Sequence, residues 1–248
     1  MKYFYGIIQC DSSVPQDITG IDDAPVRVVS RGSICAAVSD VARDDFSHDI
    51  SAIARHENVL EQLMATCSLL PARFGTVLAD EQVADLLAGH HDAFLADLRR
   101  VRDRMEFALK VLWPMSELRS LIEHNDPVVS AFAELEKLNG PGVRYALYKR
   151  REQAVEGILR SKAHAYVDGI QRSLLPMCSE AHCELMPASG VMLEGAYLVE
   201  KSRSADFRNL IEALQARNSR FCFVLTGPWP PYGFMSLGSS IPGLLATV

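Results

Sequence analysis

One cluster of cysteine and histidine residues in this chain could bind a zinc ion. Cys178 and Cys183 flank His182, and His164 lies upstream. A structural zinc site usually has cysteines two to four residues apart and a second pair at similar spacing. Here the interval is at the upper limit and no second pair follows in the sequence. The pattern therefore predicts no metal site, but a loop cysteine and a strand cysteine on either side of a turn.

The other polar clusters do not form a catalytic pattern either. Arg55–Asn58 (RHEN) lies on a predicted helix, where consecutive side chains diverge and cannot meet at one substrate atom. We expect this cluster on a solvated face. His91 continues an apolar helix seam, so we expect it at the edge of the core, hydrogen-bonded to a neighbour. Gly140–Gly142 lacks the downstream Lys-Ser/Thr of a phosphate-binding loop. The sequence therefore predicts no catalytic residue and no cofactor, which is weak evidence for a protein without catalysis.

Two stretches contain residues that could bind a partner. In LLPARFGTV, Arg73 interrupts an apolar strand, and a buried guanidinium there would need an acceptor. In FCFVLTGPWPPYGF, the strand runs into Gly227 and three prolines that fix φ and remove N–H donors, so we expect it to end after Leu225. Stiff aromatics beyond such a turn pack either on the protein's own core or on a partner. The residues predicted for partner binding or for a structural clamp are Arg73, Phe74, Trp229, Pro230, Pro231, Tyr232 and Phe234.

Composition places the chain among globular proteins. It has 248 residues, enough for two domains, with 48% hydrophobic and 23% charged residues. Twenty-five basic and 31 acidic residues give a net charge of −6 without any dense basic run, which excludes a nucleic-acid partner. The apolar start is too short for a signal peptide, and no apolar run is long enough to span a membrane. We therefore expect a cytoplasmic protein that does not bind a membrane.

The cysteines are scattered along the chain and most lie in apolar stretches. In a reducing compartment we expect no disulfide, and we expect these residues to behave as small buried hydrophobes. The six cysteines are Cys10, Cys35, Cys67, Cys178, Cys183 and Cys222.

Hydrophobic periodicity predicts the elements of the first half. Lys2–Gln9 is rich in aromatic and β-branched residues and predicts a strand, and two apolar runs around Arg31-Gly32 predict a hairpin. An amphipathic helix is predicted from about Asp49. Its apolar face is expected to contain Ile53, Leu60, Leu63, Met64 and Cys67. A short strand follows over residues 69–79, and a second helix begins near Asp80.

The end of that second helix is ambiguous in the sequence. Helical spacing continues through Met105 and Leu112 to Pro114, but the resulting helix would far exceed the mean length of about 11–12 residues. A break near Arg104 makes residues 106–113 a strand, and we favour it. The second half then has the ferredoxin-like order strand–helix–strand–strand–helix–strand, with an enlarged first crossover. Its elements are a helix at 116–125 capped by Ser116, a helix at about 143–175, strands at 182–187 and 191–200, a helix around Phe207 and a strand at 220–225.

Four stretches together resemble the GvpL/GvpF family of gas vesicle proteins. They are YFYGII at the start, LPARFGTV, GPGVRYALYKRR and, above all, LTGPWPPYGF, and they span nearly the whole chain in the family's order. One position departs from the family, which commonly has Ser where this chain has Gly233. That change could loosen the loop without altering the assignment.

The resemblance implies an α+β fold of two domains. The N-terminal domain would be ferredoxin-like, and the C-terminal domain a modified β-α-β-β-α-β version with a long helical crossover. We place these domains at residues 1–104 and 105–235, followed by an apolar tail at 236–248.

The resemblance also implies a function without catalysis. Such a protein would be an accessory or minor component of gas vesicles that binds the hydrophobic shell protein GvpA, and other gas vesicle accessory proteins, in the cytoplasm. It would support early assembly of the shell. The alternative is a ferredoxin-like small-molecule enzyme or sensor with an inter-domain pocket that uses Arg73 and His91.

Overall fold

The computed structural model describes residues 1–10, 15, 17–46, 49–186 and 190–236. Of the predicted tail at 236–248, all but Ser236 lies outside the described residues. The predicted turn at 188–190 lies outside them except for Gly190.

The first half of the chain forms an antiparallel sheet with helices. The strand order is β2-β3-β1-β4, and β5 also pairs with β1. The strands are β1 (Lys2–Gln9), β2 (Arg27–Arg31), β3 (Ile34–Asp40), β4 (Leu69–Pro71) and β5 (Val77–Leu78). The helices are α1 (Ile50–Thr66), α2 (Asp80–Gly89) and α3 (His91–Arg100). The predicted strand at Lys2–Gln9 and the predicted hairpin are confirmed.

The second half forms a sheet of four strands in the order β7-β8-β6-β9. The strands are β6 (Arg104–Leu112), β7 (Glu180–Met186), β8 (Val191–Glu200) and β9 (Cys222–Trp229). The helices are α4 (Met115–Asn125), α5 (Pro127–Leu138), α6 (Pro141–Leu174) and α7 (Ser204–Arg217). The predicted break near Arg104 is confirmed, and three helices form the long crossover between the first two strands.

Both sheets share one strand order. In each, the first strand lies between the third and the last, which is the order of a ferredoxin-like sheet. The predicted α+β fold with two ferredoxin-like sheets is therefore confirmed. The sheets differ in their first crossover, because residues 10–26 contain only one short 3₁₀ turn, Ile21–Asp23, among the described residues.

By its internal contacts the chain divides into two compact units. The first contains Met1–Phe107, Leu198–Ser204 and the described residues from Gly227 onward. The second contains Ala108–Tyr197 and Ala205–Thr226. The sequence places 227–235 with the second domain, whereas these contacts group them with the first unit. The domain boundaries drawn at 104 and 235 stay predictions.

Helix ends and faces differ from the prediction in several places. The second helix is interrupted at His90, and α5 was not predicted. Ser116 is not the cap of α4, because that helix already begins at Met115 after Pro114. Asp49 does cap α1, where its carboxylate accepts from the Ala52 N–H at 3.0 Å. Ile53, predicted on the apolar face of α1, is 44% exposed.

The prediction that no disulfide forms is wrong. Cys10, just after β1, and Cys35, on β3, are joined by a disulfide with a Cα–Cα distance of 5.4 Å. The antiparallel pairing of β1 with β3 brings the two residues together, since Ile8 lies opposite Cys35. Twenty-five residues separate them along the chain, and only the strand register shows that they are neighbours.

Candidate functional site

The segment with the most unusual sequence, residues 227–236, is here called the closing segment. The expected end of the last strand at Leu225 is wrong, since β9 continues to Trp229. It can include Pro228 because β9 is an edge strand of its sheet, where a missing N–H donor is tolerated. Gly227 has a φ of +106°, and a Cβ there would lie 2.8 Å from the Glu106 carbonyl oxygen. Only glycine therefore fits at the point where the segment turns against β6.

The apolar side chains of the closing segment differ in burial. Pro230 and Pro231 are buried, and Phe234 is only 1% exposed. Tyr232 is half-buried and packs against the core of the first unit. Trp229, by contrast, is 39% exposed. Most of the predicted clamp or partner-binding residues of this segment thus face the protein's own interior.

A buried carboxylate binds the main chain of the closing segment. Glu106, on β6, is 3% exposed, and its Oε2 accepts a hydrogen bond from the Gly233 N–H at 2.7 Å. Burial raises the pKa of Glu106 to about 7, and the hydrogen bond from Gly233 opposes part of that rise. A Cβ at Gly233 would lie 3.3 Å from both carboxylate oxygens of Glu106. The position where the family commonly has Ser therefore lies directly against this group.

A second buried carboxylate binds the end of the described segment. Asp97, on α3, is 4% exposed, and its Oδ2 accepts from the Ser236 N–H at 2.8 Å and from the Ser236 hydroxyl at 2.9 Å. Its Oδ1 accepts from Arg100 at 3.0 Å, and Arg100 also donates to the Phe234 carbonyl. Hydrogen bonds to charged groups contribute about 1.5–3 kcal/mol each. These contacts fix both the path and the register of residues 233–236.

Beside the closing segment lies an aromatic cluster of the first unit. The Tyr3 hydroxyl accepts from the Gly75 N–H at 3.0 Å and hydrogen-bonds to Nδ1 of His56 at 3.0 Å. Phe74 packs on His56 with ring centroids 5.7 Å apart and on Tyr3 at 6.4 Å. Burial raises the pKa of Tyr232, and the nearby Glu57 and Tyr3 raise it further. Phe74 and Tyr232 therefore belong to one core, although they lie far apart in the sequence.

The structure changes two expectations about polar residues near this core. His56 is fully buried, which contradicts the solvated face expected for Arg55–Asn58, and burial lowers its pKa to about 4. Arg73 is exposed in the turn after β4, so its guanidinium is not buried in a strand. Only its carbonyl acts structurally, accepting from the Thr76 N–H at 3.2 Å and from the Thr76 hydroxyl at 2.7 Å. His91 is half-buried, with Nε2 3.3 Å from the Ser33 hydroxyl.

Sequence reasoning missed the two carboxylates that hold the closing segment. Asp97 had a detectable signal, because it falls on the same helix face as Phe94, Leu98 and Val101, where an unpartnered charge would be costly. Glu106 had none, because strand alternation places it with Lys110 on a polar face. That face is exposed at Lys110 and is covered at Glu106.

The described residues contain little else that could perform chemistry. Within the described ranges, no group of three or more His, Cys, Asp or Glu side chains is arranged to hold a metal ion. A surface depression of the first unit is lined by Arg43, Phe46 and Asp49, among others. Two of its charged side chains are paired with each other, since Arg43 donates to Asp49 at 2.6 Å, and Arg43 also donates to the neighbouring Asp22 at 2.8 Å. No helix in the described part of the chain is long and apolar enough to cross a membrane.

Comparisons with known proteins agree on one family. Residues 1–236 match the family model for the gas vesicle synthesis protein GvpL/GvpF. Gas vesicle protein F of Streptomyces sp. (strain CB03234) is 30% identical over 94% of this chain and 98% of the relative. Gas vesicle protein L1 of Halobacterium salinarum is 23% identical over 94% of this chain and 89% of the relative.

The solved structures show the same fold. The crystal structure of the gas vesicle protein GvpF from Anabaena sp. PCC7120 superposes with a TM-score of 0.80 at 20% identity, over 95% of this chain and 98% of that one. GvpF from Microcystis aeruginosa gives a TM-score of 0.77 at 20% identity, over 95% and 99%. With a family model matched across nearly its whole length, this chain belongs to the GvpL/GvpF family of gas vesicle synthesis proteins.

Proposed function

We propose that this chain is a gas vesicle assembly protein, an accessory or minor structural component that binds the hydrophobic shell protein GvpA and supports nucleation of the vesicle. The observation that carries the proposal is the family match over residues 1–236. Membership places the chain among gas vesicle proteins, and binding of GvpA is the finer step that we add.

The physical support comes from the behaviour of apolar surfaces in water. A shell subunit with an apolar face toward the gas aggregates unless another surface covers that face. The helical crossover of this chain exposes large apolar side chains, with Leu121, Val128 and Leu135 at 49%, 57% and 45% exposure. Such side chains can cover an apolar partner without any bond being made or broken. The proposed role is therefore binding without catalysis.

The proposed setting follows from the same function. The chain would act in the cytoplasm, at the growing vesicle, together with other gas vesicle accessory proteins. A net charge of −6 without a dense basic run speaks against nucleic acid as a partner.

We further propose that the closing segment acts as a clamp that holds the first unit together. Its support is the burial of Pro230, Pro231 and Phe234 and the two carboxylates, Glu106 and Asp97, that accept from its main chain. In this proposal Trp229 is the one residue of the predicted set in this segment with substantial exposure.

Co-expression with the shell protein tests the main proposal. A tagged full-length chain is produced together with GvpA, and we expect GvpA to stay in the supernatant and to co-purify with the tag. A variant with Leu121→Glu and Val128→Glu should lose most of the bound GvpA. The matched control is Asn209→Glu with Ala216→Glu, which adds the same two negative charges at exposed positions on α7.

A cellular readout completes this experiment. Deletion of the gene should reduce vesicle formation, and the wild-type gene should restore it. Repeated failure to co-purify GvpA, together with normal vesicles in the deletion strain, would remove the proposal.

A further inference from the structure

The beginning of α6 differs from the rest of that helix in its exposure. Residues 141–150 are here called the α6 tip, and every one of them except Leu147 is exposed. Three large apolar side chains stand out, with Val143 at 52%, Tyr145 at 64% and Tyr148 at 40% exposure. From Val155 onward, by contrast, α6 has a regular buried seam.

The exposed aromatics continue that buried seam. The seam contains Val155, Leu159, Ala163, Val167, Ile170 and Leu174, at intervals of three and four residues. Counting back from Val155 at the same intervals reaches Glu152, Tyr148 and Tyr145, which lie on the same helix face. The face that packs inside the protein further along is therefore open at the tip.

The tip also has a charge opposite to that of the whole chain. Residues 140–151 include Arg144, Lys149, Arg150 and Arg151 and no acidic residue, whereas the chain as a whole has a net charge of −6. The two adjoining acidic side chains are already engaged, since Glu136 pairs with Arg151 at 3.2 Å and Glu152 accepts from Arg119. Arg144 and Lys149 are exposed beside the two tyrosines, one helical turn from Tyr148 and Tyr145 respectively.

Neighbouring contacts fix the tip in place before any partner arrives. The pair of Arg151 with Glu136 joins α6 to α5, and the pair of Glu152 with Arg119 joins it to α4. The Lys149 ammonium lies 5.6 Å from the Tyr145 ring centre, and the Arg151 guanidinium lies 5.7 Å from that of Tyr148. Aromatic and arginine side chains that are held in this way are effective binding anchors, because they lose little conformational freedom on contact.

We propose that the α6 tip is a docking surface for an acidic amphipathic helix of a partner protein. The apolar stripe of the partner would pack on Tyr145 and Tyr148, and its carboxylates would face Arg144 and Lys149, which flank the two tyrosines at i,i+4 spacing. Charge complementarity selects this occupant over a basic or a purely apolar one. Ten residues of helix present a surface about 15 Å long, so the partner contributes about three turns and the contact is reversible. This interaction stands whether or not the chain binds GvpA.

A designed peptide tests the proposal with the full-length chain. The probe is a fluorescent 21-residue helix with Leu and Ile along one face and Glu elsewhere, and the matched probe has Lys in place of every Glu. We expect fluorescence polarisation to show binding of the Glu peptide at least tenfold tighter than that of the Lys peptide. Raising the salt concentration should weaken binding of the Glu peptide, since exposed charges are screened.

Variants of the tip locate the site. Arg144→Glu with Lys149→Glu should reverse the preference, so that the Lys peptide becomes the tighter ligand. Tyr145→Ala with Tyr148→Ala should lower the affinity for the Glu peptide at least tenfold without changing the circular dichroism spectrum of the chain. The control is Arg160→Glu with Lys162→Glu, the same change of charge at exposed positions further along α6. This control should keep the affinity for the Glu peptide within twofold of the wild-type value.

Three outcomes would overturn the proposal. They are equal affinity for the two peptides, unchanged affinity after the charge reversal at Arg144 and Lys149, and an equal loss in the control at Arg160 and Lys162. The last result would show that the peptide senses net charge and not the tip. None of these outcomes depends on GvpA, so they leave the test of the proposed function separate.

Discussion

The closing segment and the α6 tip are both rich in aromatic and other large apolar residues, yet the structure places them in opposite environments. In the closing segment Phe234 is 1% exposed, and the main chain is held by Glu106 and Asp97. At the α6 tip Tyr145 is 64% exposed, and the backbone is an ordinary helix.

The difference in environment follows from how each stretch pairs its backbone N–H and C=O groups. A helix pairs its own N–H and C=O groups, so the tip can project side chains into water without further support. The proline-rich segment can do so only in part, because its prolines lack N–H groups. The Tyr232 N–H donates to the Pro230 carbonyl at 2.7 Å and the Phe234 N–H to the Pro231 carbonyl at 3.3 Å, and its other donors need acceptors from elsewhere. In the closing segment buried side chains supply two of them, at Gly233 and Ser236. Aromatic content alone therefore does not identify a binding surface, and backbone hydrogen bonding separates the buried closing segment from the exposed α6 tip.

Removing the most deeply buried aromatic of the closing segment should have the largest effect on stability. We expect Phe234→Ala to lower the free energy of unfolding by about 3–5 kcal/mol, because it leaves a cavity at a buried position. Urea unfolding measures the change. Tyr145→Ala, at the tip, is the control and should change stability by less than about 0.5 kcal/mol. Equal effects at the two sites would erase the contrast between clamp and exposed surface.

We expect the buried carboxylate of Glu106 to make the proposed clamp sensitive to pH. The pKa of Glu106 is about 7 in the folded chain against an ordinary value of 4.5. A carboxyl group with a raised folded pKa binds its proton more tightly when folded. Its stabilising contribution is therefore complete below about pH 4.5, and it is lost as the pH rises through 7. The shift corresponds to about 3 kcal/mol.

Glu106→Gln should remove this dependence, since Gln stays neutral and can still accept from the Gly233 N–H. We expect the variant to be more stable than the wild type at pH 8, by up to about 3 kcal/mol, and to lose that advantage near pH 4.5. Urea unfolding across this range measures the difference. Glu184→Gln, at an exposed position on β7, is the control and should show no such trend. If the difference in free energy of unfolding between wild type and Glu106→Gln did not change with pH, the raised pKa of Glu106 would be contradicted.

Much of the fold could be predicted from the sequence, because its periodicities are local. The aromatic and β-branched run at Lys2–Gln9 and the break near Arg104 both predicted strands that the structure contains. The interruption at His90 and the helix α5 were missed, since the apolar spacing on either side permits longer elements or loops. The disulfide between Cys10 and Cys35 was not predicted because the expectation rested on a reducing compartment, and the strand register that makes the two residues neighbours leaves no local pattern in the sequence.

The candidate site could be predicted only in part. The closing segment stood out through its prolines and aromatics, but the sequence left clamp and partner binding open. Glu106, whose buried carboxylate accepts a hydrogen bond from the closing segment, lies 127 positions from Gly233. In the sequence it falls in the alternating pattern of an ordinary polar strand residue. His56 was expected in solvent because its neighbours on α1 are polar, whereas the aromatic Tyr3 covers it. Such long-range contacts leave no local pattern.

The smallest expected effect sharpens the comparison most, because it uses two residues of equal exposure. Trp229 is 39% exposed in the closing segment, and Tyr148 is 40% exposed at the α6 tip. We expect Trp229→Ala to lower the free energy of unfolding by about 1–2 kcal/mol, less than the loss for a fully buried Trp, since much of its surface already meets water. Tyr148→Ala should change the free energy of unfolding by less than about 0.5 kcal/mol.

A thermal melt of each variant, paired with co-purification of GvpA, separates a clamp role from a partner-binding role for Trp229. Loss of stability with GvpA binding retained would assign Trp229 to the clamp, and an unchanged melt with weakened binding would make it an anchor for the partner. If neither the melt nor the binding changed, Trp229 would have neither role, and the clamp would begin at Pro230.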